Sequence, residues 1–331
     1  MNSKQLHYFL VTVQKQSIAA AARELDVAQP AISQQLANLE REMGATLLVR
    51  SYKGVSLTQA GQVFAQHAET LMNQIHTTRV ALQQLKTGQA GKVRLGMLPS
   101  INNVLSMALI EEVNRCYPDV QLEISTGPSY SVREWLEHNE IDIAITYEQD
   151  VTLNTMRCSG LINENMYLVV GTGAEKQTYA SLAERQAIHF WELSDYELLI
   201  PSDKDALGKL VALYEKNTSV LLKHSKAYSG QLMTGLRQVM QGEGLMILPS
   251  SAIFHLEETG LVRALKIISP EMTRTVLMAT SRTASPTDAM LKLADIVKQV
   301  VAAEQQSGHW RGELCFSPAP MTPERRQSHF A

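Results

Sequence analysis

The polar residues with the most regular spacing lie on one segment, residues 29–43. On a helical wheel, one stripe is apolar and must face a core; it holds Ile32, Leu36, Leu39 and Met43. The opposite side carries Pro30, Gln34, Ala37 and Arg41, flanked by Ser33 and Asn38. Amide, hydroxyl and guanidinium groups on a slim helix can hydrogen-bond to DNA base edges and phosphates. Taken alone, such a face is more often an ordinary solvated surface, so the neighbouring elements must decide.

Other residue types give no sign of catalytic or metal chemistry. The chain has three widely spaced cysteines, Cys116, Cys158 and Cys315, and its nine histidines lack metal-ligand spacing. The sequence contains no Gly-x-Ser-x-Gly motif and no phosphate-binding glycine loop. We therefore expect neither an enzyme nor a bound metal or cofactor.

The elements around residues 29–43 predict a winged helix-turn-helix over residues 1–58. Leu6 to Val13 have helical periodicity, and Ser17 is a typical N-cap for a second short helix. The third helix begins near Gln29, with Pro30 in its first turn. Residues 45–57 then read as a hairpin with a basic, glycine-containing tip. Two short helices, a polar-faced helix and a basic hairpin are the parts of that motif.

A long helix should follow over residues 59–86. Its apolar positions repeat with the a/d spacing of a coiled coil: Phe64, Ala68, Leu71, Ile75, Thr78, Leu82 and Leu85. We expect Phe64, Leu71, Ile75, Leu82 and Leu85 to form a dimer seam. The alternative is a single helix that packs on its own domain. Residues 87–91 (TGQAG) read as a hinge.

The remainder, residues 92–304, alternates strand and helix patterns, beginning with a βαβαβ unit that predicts a parallel sheet. The segment is too long for one small sheet, so we expect two α/β lobes with a cleft between them. Lobe I should comprise about 92–161 and 267–304, and lobe II about 162–266. The proline-containing tail, 305–331, is expected to be mobile or loosely docked. Arg325 and Arg326 could contact DNA or a partner subunit, although a solvated tail is favoured.

Composition and charge fit this division. The chain of 331 residues is 45% hydrophobic and 19% charged, a globular balance. The first 91 residues carry eight basic and five acidic residues, whereas the whole chain has a net charge of -3. A mildly basic head on an acidic body fits a nucleic-acid module joined to another domain. With no secretion signal and no membrane-length apolar run, we expect a cytoplasmic protein.

The head closely resembles the LysR-type family of transcriptional regulators. The resemblance is carried by residues 17–25 (SIAAAAREL), 28–36 (AQPAISQQL), 47–50 (LLVR) and 54–61 (GVSLTQAG). Residues 242–249 (GEGLMILP) also look like a recurrent family segment. Nitrogen-assimilation regulators look nearest within the family, from the pattern around Pro99 and residues 144–147. The two-lobed, periplasmic-binding-protein-like sensor of the family matches the order of elements read here.

The resemblance implies a set of DNA contacts and partners. Bases or nearby phosphates would be contacted by Gln29, Pro30, Ala31, Ser33 and Gln34, with Asn38 beside them, and the wing would contribute Arg50 and Lys53. Many relatives have an arginine where this chain has Gln34 and Gln35, which favours some readout of A·T pairs. Family members are typically homodimers that assemble to tetramers, bend promoter DNA and respond to a small co-inducer. Double-stranded promoter DNA and RNA polymerase are therefore the expected macromolecular partners.

The effector would lie between the lobes, at the carboxyl ends of the parallel strands. The expected lining residues are Ser100, Ile101, Asn102, Thr146, Tyr147, Ser202 and Gln231. Ser100 begins a helix, where a hydroxyl and free N–H groups favour a carboxylate, although it could equally be a plain helix cap. No arginine is obvious there, so we expect a neutral or singly charged effector, or regulation without one.

Three rival functions remain to be excluded. Redox sensing would need a cysteine pair in lobe II, where none of the three cysteines falls. A solute-binding protein would need an export signal and no DNA-binding head. An enzyme would need one of the catalytic patterns that are missing.

Overall fold

The computed structural model describes residues 1–51, 54–87, 91–151, 154–173, 177–182, 184–225, 231–282 and 285–318. The chain divides into two compact units, residues 1–88 and 89–331. Among the described residues, no helix is long and apolar enough to cross a membrane. The same residues contain no group of His, Cys, Asp or Glu side chains that could hold a metal ion.

The first unit is built from helices packed against a short hairpin. Its elements are α1 (Ser3–Lys15), α2 (Ile18–Glu24), α3 (Gln29–Met43), β1 (Leu48–Ser51), β2 (Gly54–Leu57) and α4 (Gln59–Thr87). Ser17 caps α2 by accepting a 3.3 Å hydrogen bond from the Ala20 amide. The apolar faces of the helices meet in one core that includes the fully buried Phe9 and Ile32. Met43, expected in the apolar stripe, is instead 36% exposed, because it is the last residue of α3, before the Gly44 cap, and lies beyond the edge of that core.

The start of α4 packs on its own domain. The Phe64 ring meets the Phe9 ring edge to face, with centroids 5.1 Å apart, and Ala68 is buried. Phe64, the first position of the expected dimer seam, therefore packs against the core of the head. Further along, Leu71 is 42% exposed and Ile75 is half-buried. The side chains of Leu82 and Leu85 lie outside the described residues.

The second unit begins with the expected βαβαβ arrangement. Its elements are β3 (Val93–Met97), α5 (Pro99–Cys116), β4 (Leu122–Thr126), α6 (Ser129–Glu137) and β5 (Ile143–Tyr147). Strand β3 lies parallel to both β4 and β5. The long strands β6 (Met156–Gly171) and β12 (Thr273–Ser281) continue this sheet in antiparallel fashion, and α10 (Asp288–Ser307) covers it. These elements enclose the core of lobe I.

Lobe II is formed by the chain between β6 and β12. Its elements are β7 (Ala187–His189), β8 (Glu197–Leu198), α7 (Ala206–Thr218), β9 (Lys223–His224), α8 (Leu232–Met240), β10 (Met246–Pro249), α9 (Phe254–Glu258) and β11 (Val262–Ile268). Strands β10 and β11 pair with the distal half of β6. Its apolar side chains form a separate core around Leu168, Leu236 and Ile247.

The lobes are joined by two segments that run through both sheets. Ile162 belongs to the lobe I core and Met166 to the lobe II core, so β6 changes lobe between them. Likewise, the chain returns to lobe I between Met272 and Val276, where β12 begins. We call residues 162–166 and 272–276 the crossover.

The expectation of a mobile tail is wrong for residues 305–318. Helix α10 continues to Ser307, and β13 (Gly312–Leu314) pairs antiparallel with β6. Trp310, just before β13, is fully buried in the lobe I core. Burial of the indole stabilises docking by about 2–3 kcal/mol, and the pairing of β13 with β6 adds to it. Arg325 and Arg326 lie outside the described residues.

Candidate functional site

The first candidate site is the outward face of α3. Ile32, Leu36 and Leu39 are almost completely buried and fix the rotation of the helix. The opposite residues are exposed; they are Gln29, Pro30, Ala31, Gln34, Ala37 and Arg41. Ser33 and Asn38 are half-buried beside them. The packing of α3 thus turns the expected base-contacting side chains toward solvent on one surface, which we call the α3 face.

The α3 face carries a side-chain hydrogen bond of its own. Arg41 donates from Nη2 to Oδ1 of Asn38 over 3.0 Å. The amide group of Asn38 keeps its two N–H donors, which can reach an acceptor such as a phosphate oxygen. Arg41, which lies in the last turn of α3, is therefore a positioning group for Asn38 as well as a source of positive charge.

Glu40 holds the hairpin against α3. Its Oε1 accepts hydrogen bonds from the backbone amides of Leu47 and Leu48, at 2.8 and 3.0 Å. Its Oε2 lies 4.0 Å from Nη2 of Arg50, whose side chain is 45% exposed. The sequence alone gave Glu40 no role. The structure gives it the role of fixing β1, and with it Arg50, relative to the α3 face.

The hairpin is also tied to the end of α1. The Val55 amide donates to the Gln16 carbonyl over 2.8 Å. Gly54 has a φ of +125°, and a Cβ there would stand 2.5 Å from the Gln16 oxygen, so only glycine fits. Lys53, the expected wing-tip contact, lies outside the described residues.

The second candidate site lies between the lobes. Of the residues expected there, Ser100 and Tyr147 come together: the Ser100 Oγ and the Tyr147 hydroxyl are 3.1 Å apart and both side chains are buried. Burial raises the pKa of the Tyr147 phenol, so it stays a neutral donor. Ser100 is not a helix cap, because the first turn of α5 has no side-chain cap bond; its hydroxyl contacts the buried Tyr147 instead.

Other expected residues differ in their placement. The Ile101 side chain lies in the lobe I core, so only its backbone could touch an effector. Asn102 is half-buried. Ser202 and Gln231 are exposed on lobe II, with Ser202 just before Asp205, whose charge acts on Tyr147. Of the expected residues, Ser100 and Tyr147 of lobe I are therefore in contact with each other, whereas Ser202 and Gln231 of lobe II are exposed.

Three buried oxygen atoms near the ends of β4 and β5 have no hydrogen-bond partner within the described residues. They are Ser129 Oγ, Thr146 Oγ1 and Asp150 Oδ2. A buried polar atom without a partner costs about 1–3 kcal/mol, and ligand sites are where such costs are tolerated. Ser129 was missed from the sequence. Its signal is its position directly after β4, at the same edge of the sheet as Ser100.

Both sides of the cleft are bridged. Lys209 of α7 donates to the buried Asp150 over 2.9 Å. On the other side, Asn103 of α5 donates to the Ser251 carbonyl over 2.9 Å. A molecule that reaches Thr146 or Ser129 must therefore compete with these contacts or arrive when the lobes are apart.

An arginine that was not among the expected cleft residues lies against Tyr147. The guanidinium of Arg274 is 3.6 Å from the centre of the Tyr147 ring. Its Nε donates to Oε1 of Glu164 over 2.6 Å, and both side chains are almost fully buried. Burial alone lowers the pKa of Arg274, but the negative charge of its neighbours outweighs this and raises it, so it stays a cation. Sequence reasoning missed Arg274 because it lies on the crossover, far along the chain from Tyr147.

A separate cavity of about 490 Å³ opens over β11 of lobe II. Its lining includes Arg185, Lys266 and Arg311. Each of these cations is already paired, with Glu192, Glu271 and Glu257 respectively. The charge of this cavity is therefore compensated from within the protein, and the interlobe cleft is the better candidate for a ligand.

Comparison with known proteins matches both units to family descriptions. Residues 3–62 match "Bacterial regulatory helix-turn-helix protein, lysR family", and residues 86–302 match "LysR substrate binding domain". The nitrogen assimilation regulatory protein nac of Klebsiella aerogenes is 28% identical over 256 residues, which is 76% of this chain and 79% of that protein. The regulator BbuR of Bordetella bronchiseptica is 24% identical and covers 94% of each chain. The expected likeness to nitrogen-assimilation regulators is confirmed at this modest identity.

Solved structures agree on the fold. A full-length OxyR variant from Pseudomonas aeruginosa has a TM-score of 0.62 at 22% identity and covers 98% of this chain and 99% of its own. Full-length CbnR in complex with its target DNA has a TM-score of 0.60 at 17% identity, with 91% and 100% covered. The arrangement of a winged head, a long helix and a two-lobed domain is therefore an established one.

Proposed function

The chain belongs to the LysR family of bacterial transcriptional regulators, and on that premise we propose that the α3 face reads its operator while a small molecule held between the lobes controls transcription. The head supplies the DNA-binding helix-turn-helix and the body the effector-binding domain. The DNA-binding proposal rests on the orientation of α3 about its axis. This orientation buries Ile32, Leu36 and Leu39 and exposes a continuous polar surface. We propose no catalytic activity.

The proposed DNA contacts divide into two kinds. Gln29, Ser33 and Gln34 would meet base edges, and the slim residues Pro30 and Ala31 would let α3 approach the major groove. Asn38, Arg50 and Lys53 would contact the phosphate backbone, which positions the protein without specifying sequence. The exposure of Arg50 and its alignment by Glu40 support its role.

The effector is proposed to lie against Ser100, Ser129, Thr146 and Tyr147. Because Glu164 neutralises Arg274, the cleft offers no uncompensated cation from that residue. The available groups are hydroxyls and an aromatic ring, which suit a neutral or singly charged molecule with a few hydrogen-bonding groups.

Assembly and cellular setting follow from DNA binding. A homodimer joined through the exposed part of α4 would present two α3 faces to a two-fold operator, and dimers would assemble to a tetramer. The exposure of Leu71 supports this seam. RNA polymerase is the proposed partner for control of transcription, and the cytoplasm, where bacterial DNA lies, is the proposed compartment.

The test is a gel shift with the duplex that flanks the gene of the protein, at stepped salt concentrations and against random duplex of equal length. We expect tighter binding to the flanking duplex at every salt concentration, with affinity falling as salt rises. Footprinting on the same DNA would locate the operator. Equal affinity for both duplexes would refute the proposal.

A further inference from the structure

The C-terminal segment, residues 309–316, which we call the strap, lies beyond the part of the chain that matches the family, residues 86–302. It runs along the crossover. Gly312 is the register partner of Glu164 on one edge of β6, and Arg274 is its partner on the other. The strap therefore turns the two-stranded connection between the lobes into a three-stranded one.

The strap is fixed to both lobes. The Trp310 side chain is in the lobe I core, and the Cys315 amide donates to the Leu161 carbonyl over 3.0 Å. Toward lobe II, the Arg311 amide donates to the Ser250 Oγ over 2.7 Å, and its guanidinium pairs with Glu257 and lies 4.5 Å from the centre of the Tyr167 ring.

The indole of Trp310 reaches the buried acid of the crossover. Its Nε1 donates to Oε2 of Glu164 over 2.6 Å, and the Ser251 hydroxyl donates to the same oxygen over 3.3 Å. The other oxygen of Glu164 accepts from Arg274, and Arg274 lies against the Tyr147 ring. Tyr147 in turn meets Ser100. A continuous chain of buried contacts thus leads from the strap to the proposed effector site.

We propose that Trp310 is a positioning residue of the effector site: its N–H fixes one oxygen of Glu164, so that the other fixes Arg274 against Tyr147. A carboxylate with one oxygen held by an indole has little freedom to rotate, and a buried charge-assisted hydrogen bond keeps its geometry. Without the indole N–H, Oε2 of Glu164 keeps only the longer bond from Ser251, so the carboxylate can turn and its hold on Arg274 loosens. The strap thereby sets the shape that the cleft offers to a ligand.

The proposal rests on the proposed function only in taking the cleft as the effector site. Its test needs neither DNA nor effector. The measurement is hydrogen exchange of the Arg274 Nε–H, observed by NMR in the full-length protein with 15N-labelled arginine. Trp310→Phe should make this proton exchange about tenfold faster, since a hydrogen bond to a charged group protects it. Trp191→Phe is the matched control, because Trp191 is 56% exposed and stacks on His189 instead.

An isostere separates hydrogen bonding from packing. The chain has three tryptophans, so Trp135 and Trp191 are first replaced by phenylalanine. In this background, Trp310 is replaced by benzothienylalanine, which has the same shape as tryptophan but no N–H. The proposal expects exchange as fast as in Trp310→Phe. A purely structural role for the ring expects exchange as slow as in the parent, and that result would overturn the proposal.

A second variant covers the case in which Trp310→Phe does not fold. A Cβ at Gly312 would overlap the Asn163 carbonyl and stand 2.8 Å from the Glu164 Cα, so Gly312→Val should displace β13. Faster Arg274 Nε–H exchange is again expected, and parental exchange contradicts the proposal. A failed gel shift together with faster exchange would refute the proposed function and leave this inference standing.

Discussion

Glu164 and Arg274 face each other as register partners on the two crossover strands and are joined by a 2.6 Å hydrogen bond. Both side chains are almost completely shielded from water, so each charge depends on the other. The pair lies where the chain passes from one lobe to the other. The two apolar cores are therefore separated by a buried ion pair. Arg274 also lies against the ring of Tyr147, so the pair borders the proposed effector site.

Removal of one partner should be more harmful than removal of both. Arg274→Met leaves Glu164 charged and buried, and should lower the free energy of unfolding by about 3–5 kcal/mol. The double variant Glu164→Gln/Arg274→Met carries no buried charge and should lose less. Urea unfolding of both proteins measures the difference. A double variant no more stable than Arg274→Met would contradict the idea that charge compensation is what matters here.

Gln34 should contribute to operator affinity. Gln34→Ala removes an amide that can form two hydrogen bonds with an adenine, so operator binding should weaken by about 1–3 kcal/mol at fixed salt. The matched control is Gln66→Ala, at an exposed position of α4. Titrated gel shifts with the footprinted operator provide the measurement. If Gln34→Ala binds as tightly as the parent, base contact by Gln34 is refuted.

Hydroxyl groups in the cleft should matter for the effector and not for DNA. Ser100→Ala and Ser129→Ala should each weaken effector-dependent transcription from the operator by about five- to thirtyfold, at about 1–2 kcal/mol per lost hydrogen bond. Basal DNA binding should stay at the parental level. Ser106→Ala, in the same helix as Ser100 but away from Tyr147, is the control. An unchanged effector response would remove the tested serine from the site.

Positions of the α4 seam should separate into two classes. Leu71→Asp should shift the protein toward monomer in sedimentation experiments, because an exposed apolar position becomes charged. Phe64→Ala should instead lower the free energy of unfolding by about 2 kcal/mol, since Phe64 packs on Phe9. Dissociation by Phe64→Ala with unchanged stability would reverse this assignment.

Acid should weaken a specific ion pair in lobe II. The bidentate partner Arg185 holds the pKa of Glu192 at about 2, well below its usual 4.5. A lowered folded-state pKa stabilises the protein above pH 4.5, and the gain is lost as pH falls toward 2. Glu192→Gln should therefore cost about 1 kcal/mol near neutral pH, after allowance for solvent screening. The gap between variant and parent should close in thermal unfolding curves recorded at falling pH; a gap that widens would contradict the pairing.

Local periodicity was enough to predict the α3 face. Ile32, Leu36 and Leu39 repeat within a single helix, so their shared burial follows from spacing alone. The parallel arrangement of β3, β4 and β5 was also predictable, because strands that alternate with helices can be connected in few ways. The prediction that Met43 is buried failed, because a helical wheel does not show where along the helix the neighbouring core ends.

The crossover could not be predicted from local pattern. Only residues 166–170 of β6 read as a strand, because polar residues at 163–165 break the apolar run. Glu164 is buried in a strand only because Arg274 and Trp310 compensate it, and both lie more than a hundred residues away. A weak signal for β13 was present: Trp310, Leu314 and Phe316 alternate with polar residues, as strand residues do.

The position of Trp310 has a consequence for synthesis of the protein. It follows Glu164 by 146 residues, so this partner of the buried acid leaves the ribosome long after β6 and the chain of lobe II. Domains fold as units from the N-terminus onward during synthesis. A nascent chain can therefore complete its DNA-binding head well before its sensor receives the last strand. A stop codon between α10 and residue 310 would leave the head intact and remove the strap from the sensor.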